Sequence, residues 1–414
     1  MHKNRKTFVK RAALSLSIMG LTILACGAAA SAGDWPMWRG PSHNGISQEK
    51  GWLDRWPASG PPVLWKAGVG TGFSSFSVVG NHVYTAGNTD NTDTVFCLDA
   101  DSGKVLWKHS YPSDLGDKLF EGGTTGTPTV DGGRVFFLSR WGDVFCFDAA
   151  SGKVIWSKNV HKETGVRIPG WGFSGSSLVF DNLLILNVGE AGMALNKQTG
   201  EIVWKSADKD AGYSTPVPMQ QNGKWLGVLG SGAAYLAVDL QTGKEAWKYH
   251  WLTEYGLNAA DPIIDGDHVF ISTGYGKGDA LLKVGSGEPQ VLYKNKSLHT
   301  MLNPAVKVGD DLYGFDGDAS ATTRLRCIEF STGKKKWDDL DVELGALMVA
   351  DGKLIVIDGH GDLFVAPASA AGFKPTARAH VLDGKCWTVP VLANGRIYCR
   401  NSRGDVVCLD VRKK

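Results

Sequence analysis

Short apolar runs recur along the whole chain, and each follows a polar turn pair; Val135-Phe136-Phe137-Leu138 and Leu354-Ile355-Val356-Ile357 are two examples. Runs of this length bounded by turn residues are typical of β-strands. The turn pairs are rich in Asn, Asp and Gly, which accept the positive φ angles of tight hairpins. They stand at Gly80-Asn81, Asp131-Gly132, Asp181-Asn182, Asn222-Gly223, Asp265-Gly266, Gly309-Asp310, Asp351-Gly352 and Asn394-Gly395. The pattern therefore predicts eight hairpins.

A second pattern places an acid or amide eight residues before a tryptophan and a glycine four residues before it. It occupies residues 99–107, 148–156, 196–204, 239–247 and 329–337. The acid can bond the turn amides and the glycine supplies positive φ, so the motif predicts a further hairpin whose return strand ends in tryptophan. We expect these rings, with Trp65 near the start, to pack one sheet against the next. The predicted packing residues are Trp65, Trp107, Trp156, Trp204, Trp247 and Trp337.

The spacing of the turn pairs gives the architecture. Gly80 and Asn394 are 314 residues apart over seven intervals, about 45 residues each, which is the length of a four-stranded propeller blade. Two units lack the tryptophan: Tyr293 replaces it in one, and residues 366–379 of the other carry only Phe373 as an aromatic. The turn count still includes both units.

The two ends of the repeat region complete each other. The last unit ends near Asp410 without a fourth strand, while residues 62–66 form a strand without a blade. The predicted fold is an all-β, eight-bladed β-propeller of four-stranded antiparallel blades, with the last blade closed by an N-terminal strand. We divide the chain into a signal peptide (1–32), a Trp-rich extension (33–61), the propeller (62–411) and a tail (412–414).

The first 32 residues indicate export. A basic start precedes an apolar run over residues 12–25 and a small-residue cleavage site at Ala30-Ser31-Ala32, which is the order of a secretory signal peptide. Two alternatives stay open. Residues 23–26 resemble a lipoprotein box, which would place a lipid anchor on Cys26, and residues 4–10 resemble a twin-arginine signal. All three place the protein in the periplasm or envelope.

The net charge excludes one class of partner, and the number and spacing of the cysteines exclude one class of protein. Residues 1–32 carry five of the 44 basic residues and no acidic ones, so 39 basic and 42 acidic residues remain, a net charge of −3. Because no basic patch remains, nucleic acid is not an expected partner. The six remaining cysteines are too few and too scattered for a disulfide framework. One disulfide, between Cys399 and Cys408, is compatible with adjacent strands.

The repeat also resembles a known family. The spacing Ala/Cys-x-Asp-x-x-x-Gly-x-x-x-Trp is similar to the blade-docking motif of pyrroloquinoline-quinone (PQQ) propellers, and Trp35-Pro36-Met37-Trp38-Arg39-Gly40-Pro41 resembles the start of exported bacterial PQQ-like propeller proteins. The resemblance covers residues 34–411. It implies either a non-enzymatic scaffold similar to BamB or a quinone-dependent dehydrogenase. The dehydrogenases hold PQQ against a disulfide between adjacent cysteines and a calcium ion, and this chain has no adjacent cysteines.

Candidate site residues cluster, in sequence, around the longer connections. An up-and-down meander puts the tight turns on one face and the long loops on the other, where we expect function. The residues expected at that mouth of the central channel are Arg167, Trp171, Glu190, Tyr213, Asn258, Asp261, Tyr275, His299, Asn303, Asp316, His360, Trp387 and Arg400. They either bind a ligand or form a solvated rim. Trp35, Trp38, Trp52 and Trp56 are expected to pin the N-terminal segment to the side of the propeller, or to cover one mouth.

Catalytic and metal-binding signals are weak. Asp261 and Asp316 are candidates for a general base. Neither residues 90–93 nor Asp316-Gly317-Asp318 forms a complete calcium loop, and no metal-spaced histidine pair or nucleophile motif accompanies them, so no metal is predicted. The sequence favours a monomeric, non-catalytic binding scaffold for an envelope protein or a small ligand. The alternative is a PQQ-dependent oxidoreductase, with calcium, acting on an alcohol or sugar.

Overall fold

The computed structural model describes residues 1–2, 33–57, 59–118, 120–318 and 322–413. The predicted signal peptide and the candidate lipid anchor at Cys26 lie outside the described residues. Eight sheets are present, and their strand order is that of eight antiparallel meanders, which confirms the predicted eight-bladed propeller. Within the described residues, no helix has the length and apolar character needed to cross a membrane.

The N-terminal strands and the first four blades follow the chain in order. The N-terminal strands are β1 (Ile46–Ser47) and β2 (Val63–Gly68). Blade 1 holds β3 (Ser77–Val79), β4 (His82–Thr89), β5 (Thr92–Asp99) and β6 (Val105–Pro112). Blade 2 holds β7 (Thr129–Asp131), β8 (Arg134–Leu138), β9 (Asp143–Asp148) and β10 (Val154–Asn159), followed by a short helix α1 (Val160–Thr164). Blade 3 holds β11 (Leu178–Phe180), β12 (Leu183–Leu186), β13 (Met193–Asn196) and β14 (Ile202–Lys205). Blade 4 holds β15 (Val217–Gln221), β16 (Lys224–Gly230), β17 (Ala234–Asp239) and β18 (Glu245–His250).

The remaining four blades continue this order after a 3₁₀ turn at Glu254–Gly256. Blade 5 holds β19 (Ile263–Asp265), β20 (His268–Thr273), β21 (Gly278–Lys283) and β22 (Gln290–Asn295). Blade 6 holds β23 (Val306–Val308), β24 (Asp311–Asp316), β25 (Arg324–Glu329) and β26 (Lys335–Asp339). Blade 7 holds β27 (Ala346–Ala350), β28 (Lys353–Ile357), β29 (Asp362–Pro367) and β30 (Ala377–His380). Blade 8 holds β31 (Val391–Ala393), β32 (Arg396–Arg400) and β33 (Asp405–Asp410).

Closure of the ring follows the prediction. Strand β2 pairs antiparallel with β33 and so supplies the fourth strand of blade 8, with Trp65 opposite Cys408. The segment that precedes blade 1 in the chain thus belongs to the sheet of blade 8, and β33 is covered by a partner strand.

Tryptophans join most neighbouring blades by the same contact. In each case the indole N–H donates to a backbone carbonyl at the tight turn of the next blade. The pairs are Trp65 with Ala100 (2.9 Å), Trp107 with Ala149 (2.8 Å), Trp156 with Lys197 (3.1 Å), Trp204 with Leu240 (2.9 Å) and Trp337 with Ser369 (2.9 Å). The hydroxyl of Tyr293 does the same to the carbonyl of Phe330 at 2.7 Å. Trp247 is buried, as Trp65 and Trp107 are, but its N–H has no acceptor among the described residues.

The seam between blades 7 and 8 is built differently. Ala377 stands opposite Val365, where the other blades carry their tryptophan or tyrosine. The carbonyl of Val411, which such a tryptophan would reach, instead accepts the backbone N–H of Leu53 at 2.6 Å. Trp52 is buried in the same apolar cluster as Ala377. The N-terminal extension therefore replaces the missing anchor.

The extension also enters the central channel. The first strands of neighbouring blades contact one another and line this channel. Trp35 bridges antiparallel to Val78 in β3, and β1 pairs parallel with β27. We call residues 33–49 the plug segment. It runs antiparallel to the first strand of blade 1 at Trp35 and parallel to the first strand of blade 7 at β1. Of the two positions predicted for Trp35 and Trp38, the side of the propeller is wrong, because the first strands of blades 1 and 7 offer this segment backbone partners at the channel.

The possible disulfide is also absent. Cys399 pairs with Val407 and Cys408 pairs with Tyr398, so the two cysteines are offset by one residue on adjacent strands. Successive side chains on a strand point to opposite faces, which separates the two sulfurs. All six described cysteines are buried free thiols.

Candidate functional site

Just before the first strands of blades 1 to 5, a series of hydrogen bonds, which we call the ladder, links each blade to the next around the channel. A backbone N–H in one blade donates to a side-chain oxygen in the next. The steps are Ser75 to Thr127 (3.0 Å), Thr127 to Ser176 (2.9 Å), Ser176 to Thr215 (2.9 Å) and Thr215 to Asp261 (2.7 Å). Polar residues at these positions thus hold blades 1 to 5 in register around the channel.

Asp261 ends the ladder and meets the plug segment. Its second oxygen accepts the indole N–H of Trp38 at 2.6 Å. Burial raises the pKa of Asp261 to about 6, although the nearby Arg39 guanidinium opposes the shift. Arg39 itself donates to the carbonyl of Ala305 in blade 6 at 3.1 Å. Both carboxylate oxygens of Asp261 accept hydrogen bonds, one from the ladder and one from the plug segment. Asp261 therefore has a structural role that links the two.

Asp316 is engaged in a second network at the junction of blades 5 and 6. One of its oxygens accepts from the backbone N–H and lies 2.8 Å from the ring Nδ1 of His299. The other lies 2.9 Å from Arg326, whose guanidinium also pairs with Asp338 at 2.5 Å. The network ties the loop carrying His299 to β24, β25 and β26.

Other predicted site residues, of which Arg400 and Asn258 are buried and Asn303 is half-buried, hold neighbouring segments together. Arg400 is fully buried and donates to the carbonyls of Ser74 and Ala86, both at 2.8 Å. Burial lowers its pKa to about 9. Asn258 donates to the carbonyls of Ser231 and Trp251. Asn303 donates to those of Gly345 and Trp387.

Three further candidates contact charged side chains, and two of them, Arg167 and Glu190, bind the same segment around residues 207–210. Glu190 lies 3.0 Å from Lys209 and 3.2 Å from Lys248, Arg167 lies 3.2 Å from Asp210, and His360 lies 2.9 Å from Glu343. Arg167 and His360 are largely exposed. The predicted residues therefore do not converge on one centre.

Aromatic candidates do come together on the long-loop face. Trp171 makes edge contacts with Tyr213 and Tyr255, each at 5.9 Å between ring centroids, and Tyr255 contacts Tyr275 at 5.7 Å. Tyr255 is 64% exposed and has a φ of 61°, a backbone conformation that costs a tyrosine energy. The neighbouring Leu252 is 55% exposed. We call Trp171, Tyr213, Tyr255 and Tyr275 the aromatic row.

A groove opens on the same face between blades 8 and 1. It consists of two adjoining clefts of about 520 and 460 Å³ that share Thr71 and Arg403 in their walls. Beneath it, the ring of Trp387 stacks on Phe73 at 6.2 Å, and Phe73 lies 5.9 Å from Phe120. Two of the predicted residues support this groove: Trp387 through this stack, and Arg400 by donating to the carbonyl of Gly70 in the groove wall at 3.0 Å.

The residues present do not fit a calcium-bound quinone. Among the described residues, no group of three or more His, Cys, Asp or Glu side chains is placed to hold a metal ion. The two carboxylates predicted as general bases already have partners. Asp261 accepts hydrogen bonds from two N–H groups, and Asp316 contacts His299 and Arg326. Trp38 and Arg39 occupy the channel between blades 5 and 6.

Several residues at the site were missed at the level of sequence. Tyr255, Phe73, Phe120 and Arg403 lie in loops outside both repeat patterns. A third repeat signal points to part of this face: a Gly-Asp pair at the turn between the second and third strands. It occurs at Gly142-Asp143, Gly278-Asp279, Gly361-Asp362 and Gly404-Asp405, with glycine φ angles of 90°, 90°, 93° and 91°. The residue before each pair, Arg403 in blade 8, stands at the long-loop face.

Comparison with known proteins is consistent with the propeller fold. A family model described as outer membrane protein assembly factor BamB matches residues 91–339. The chain belongs to this BamB family. No curated protein matches the chain.

Solved structures with a similar fold include a BamB protein and two dehydrogenases. BamB from Moraxella catarrhalis is 15% identical with a TM-score of 0.63, over 84% of this chain and 99% of that one. Quinohemoprotein alcohol dehydrogenase from Comamonas testosteroni is 15% identical with a TM-score of 0.64, over 94% and 82%. A europium-containing methanol dehydrogenase is 12% identical with a TM-score of 0.64, over 92% and 90%. At these identities the likeness concerns the fold.

Proposed function

We propose that this protein is a non-catalytic binding scaffold of the bacterial periplasm or envelope that holds a partner protein with its long-loop face. The observation that carries the proposal is the aromatic row, in which Tyr255 is exposed, Trp171 and Tyr275 are half-buried and Tyr213 is buried beneath them. The row lies beside a channel that the N-terminal segment of the protein enters. Membership of the BamB family, whose description is that of an assembly factor, supports a protein partner.

The physical character of the row fits a protein interface. Tyrosine and tryptophan are enriched at the centres of such interfaces, because they bury a large area at low cost in side-chain entropy. The row has charged groups at its edge, with Arg167 and Asp210 near Trp171 and Glu254 next to Tyr255. An apolar centre with a charged rim is the usual arrangement of a protein contact.

The test compares two faces of the same protein. A Trp171→Ala/Tyr255→Ala variant removes the centre of the row, whereas Trp225→Ala removes a 44% exposed tryptophan at the tight-turn face. Pull-downs from envelope extract with the wild type and both variants should give at least one protein that Trp225→Ala retains and the double variant loses. Equal retention by both variants would overturn the proposal.

The dehydrogenase alternative is tested on the same purified protein. PQQ is titrated with and without calcium while thermal stability and dye reduction with alcohols and sugars are followed. A rise in melting temperature at micromolar PQQ, together with dye reduction, would favour the oxidoreductase over the scaffold. The scaffold proposal expects neither effect.

A further inference from the structure

Two lysines lie over the ring of one tryptophan between blades 4 and 5. The ammonium group of Lys277 is 4.9 Å from the centre of the Trp251 ring, and that of Lys294 is 5.3 Å from it. Trp251 follows β18, Lys277 precedes β21 and Lys294 lies near the end of β22, so all three stand at the long-loop face. We call Lys277 and Lys294 the lysine pair.

The ring beneath the lysine pair is held in place. Its indole N–H donates to the hydroxyl of Thr273 at 2.9 Å, and the carbonyl of Trp251 accepts a hydrogen bond from Asn258 at 3.1 Å. Trp251 is fully buried, while Lys277 is half-buried and Lys294 is exposed. The lysine pair is therefore accessible on a support that does not have to rearrange, which lowers the entropy cost of binding.

Other lysines that lie over an aromatic ring in the described part of the chain also have a carboxylate partner. These lysines, with their carboxylates and the N–O distances, are Lys307 with Asp265 (2.9 Å), Lys353 with Asp351 (3.3 Å) and Lys385 with Glu121 (2.7 Å). Neither Lys277 nor Lys294 forms an ion pair with a described residue. The lysine pair therefore differs from the other three in lacking a carboxylate.

The charges of the lysine pair act on each other. Partial burial, and then the charge of Lys294, lower the pKa of Lys277, and no carboxylate among the described residues offsets this shift. Two like charges beside one ring repel each other, and an anion bound to both would relieve the repulsion. A bound ligand can supply the carboxylate that the other three lysines find within the protein.

The lysine pair continues the aromatic row. Tyr275 of the row lies in the same turn as Lys277, and Tyr255 lies in the loop that begins at Trp251. Asp318 and Glu254 lie close enough to Tyr275 to raise its pKa, after the larger effect of burial, but neither forms an ion pair with the lysine pair. A partner segment that covers the row therefore reaches the lysine pair at the next position along the face.

We propose that the lysine pair binds a carboxylate side chain of the partner protein, an Asp or Glu that stands next to the apolar residues covering the aromatic row. This inference rests on the proposed function, because it names the chemistry of the partner at the same face. The partner segment is acidic at one end and aromatic or aliphatic beside it.

The test selects random linear peptides, displayed on phage, on the full mature protein. We expect the enriched peptides to combine an aromatic or aliphatic residue with a nearby Asp or Glu, and their synthetic forms to bind in calorimetric titration. Lys277→Gln/Lys294→Gln should weaken this binding about tenfold, as expected for loss of a charge-assisted contact. Replacing the acid of the peptide by its amide should weaken binding to the wild type by a similar factor, with little further effect in the double variant.

The matched control is Lys385→Gln, which removes a lysine of the same face that also lies over a tryptophan ring but pairs with Glu121. It should leave peptide binding unchanged. An equal loss in Lys385→Gln and in the double lysine variant, or peptides that bind equally well after their acid is replaced, would overturn the proposal.

The failure of this proposal can be told apart from failure of the proposed function. Trp171→Ala/Tyr255→Ala should abolish binding of the same peptides. Peptides that this variant loses, but that the wild type and the double lysine variant bind equally, would overturn the role of the lysine pair and leave the scaffold proposal standing. If no enriched peptide depends on the aromatic row, the scaffold proposal fails, and the role of the lysine pair fails with it.

Discussion

The seam between blades 1 and 2 and the seam between blades 7 and 8 solve the same packing problem with different parts of the chain. At the first, Trp107 belongs to the blade itself and donates to the carbonyl of Ala149. At the second, the blade supplies only Ala377, and residues more than 300 positions away in sequence supply the ring of Trp52 and the N–H of Leu53.

The two seams differ in which segments of the chain they need. A blade with its own tryptophan can pack on its neighbour as soon as the two blades exist. The blade 7–8 seam is complete only when the N-terminal extension has docked, and the same extension continues from the plug segment and leads into β2 of blade 8. Ring closure, channel filling and the blade 7–8 seam therefore all use the same N-terminal stretch of the chain.

The largest expected effect comes from emptying the seam that depends on the extension. Trp52 is 3% exposed, its N–H has no partner among the described residues, and the Lys353 ammonium group lies 6.0 Å from the centre of its ring, so its contribution comes mainly from packing. Trp52→Ala should lower the free energy of unfolding by about 3–5 kcal/mol, the usual cost of truncating a buried aromatic. Urea denaturation followed by tryptophan fluorescence measures this.

The control for that variant is Trp225→Ala, which removes a tryptophan that is 44% exposed. Its cost should stay below about 1 kcal/mol. A loss of similar size in both variants would show that the seam does not depend on the extension.

The second expected effect is a pH dependence at the tip of the plug segment. The pKa of Asp261 is raised to about 6 in the folded protein from an ordinary value near 4, with burial as the cause. Because the folded state binds this proton more tightly than the unfolded state, the contribution is present at pH below about 4 and is lost as pH rises through about 6. The shift corresponds to at most about 3 kcal/mol.

Asp261→Asn isolates this contribution. The amide keeps one acceptor for the N–H of Thr215 or Trp38 but does not titrate, and Arg39 remains the facing charge. The difference in unfolding free energy between wild type and variant should change between pH 4 and pH 6.5 in urea titrations. A constant difference across that range would contradict the assignment.

The blades could be predicted from the sequence because their signals are local. In each blade the turn pair lies within the first hairpin, and the acid, glycine and tryptophan lie within the second, so the physics that places each of them involves neighbours a few residues away. The aromatic candidates Trp171, Tyr213 and Tyr275 were found for a related reason, since they follow or precede predicted strands.

The plug segment and the groove could not be predicted in this way. Trp38 meets Asp261 across 223 positions of sequence, and no periodicity in residues 33–47 indicates where they dock. Asp261 was singled out as a candidate base because it is an acid before a strand. The structure shows that Ser176 and Thr215 hold the same acceptor position in the ladder as Asp261, a pattern visible only when the blades are aligned in space.

The smallest expected effect is the contribution of one indole N–H hydrogen bond to stability, measured apart from the packing of the tryptophan ring at a blade seam. Trp107→Phe keeps most of the packing and leaves the carbonyl of Ala149 with one donor fewer, so it should cost about 1–2 kcal/mol more than the change in ring size alone. Trp247→Phe is the matched variant, because Trp247 is equally buried and makes no such bond. If the two variants lose the same stability in urea denaturation, the blade seams are held by ring packing, and the shared hydrogen bond only sets the orientation of the indole.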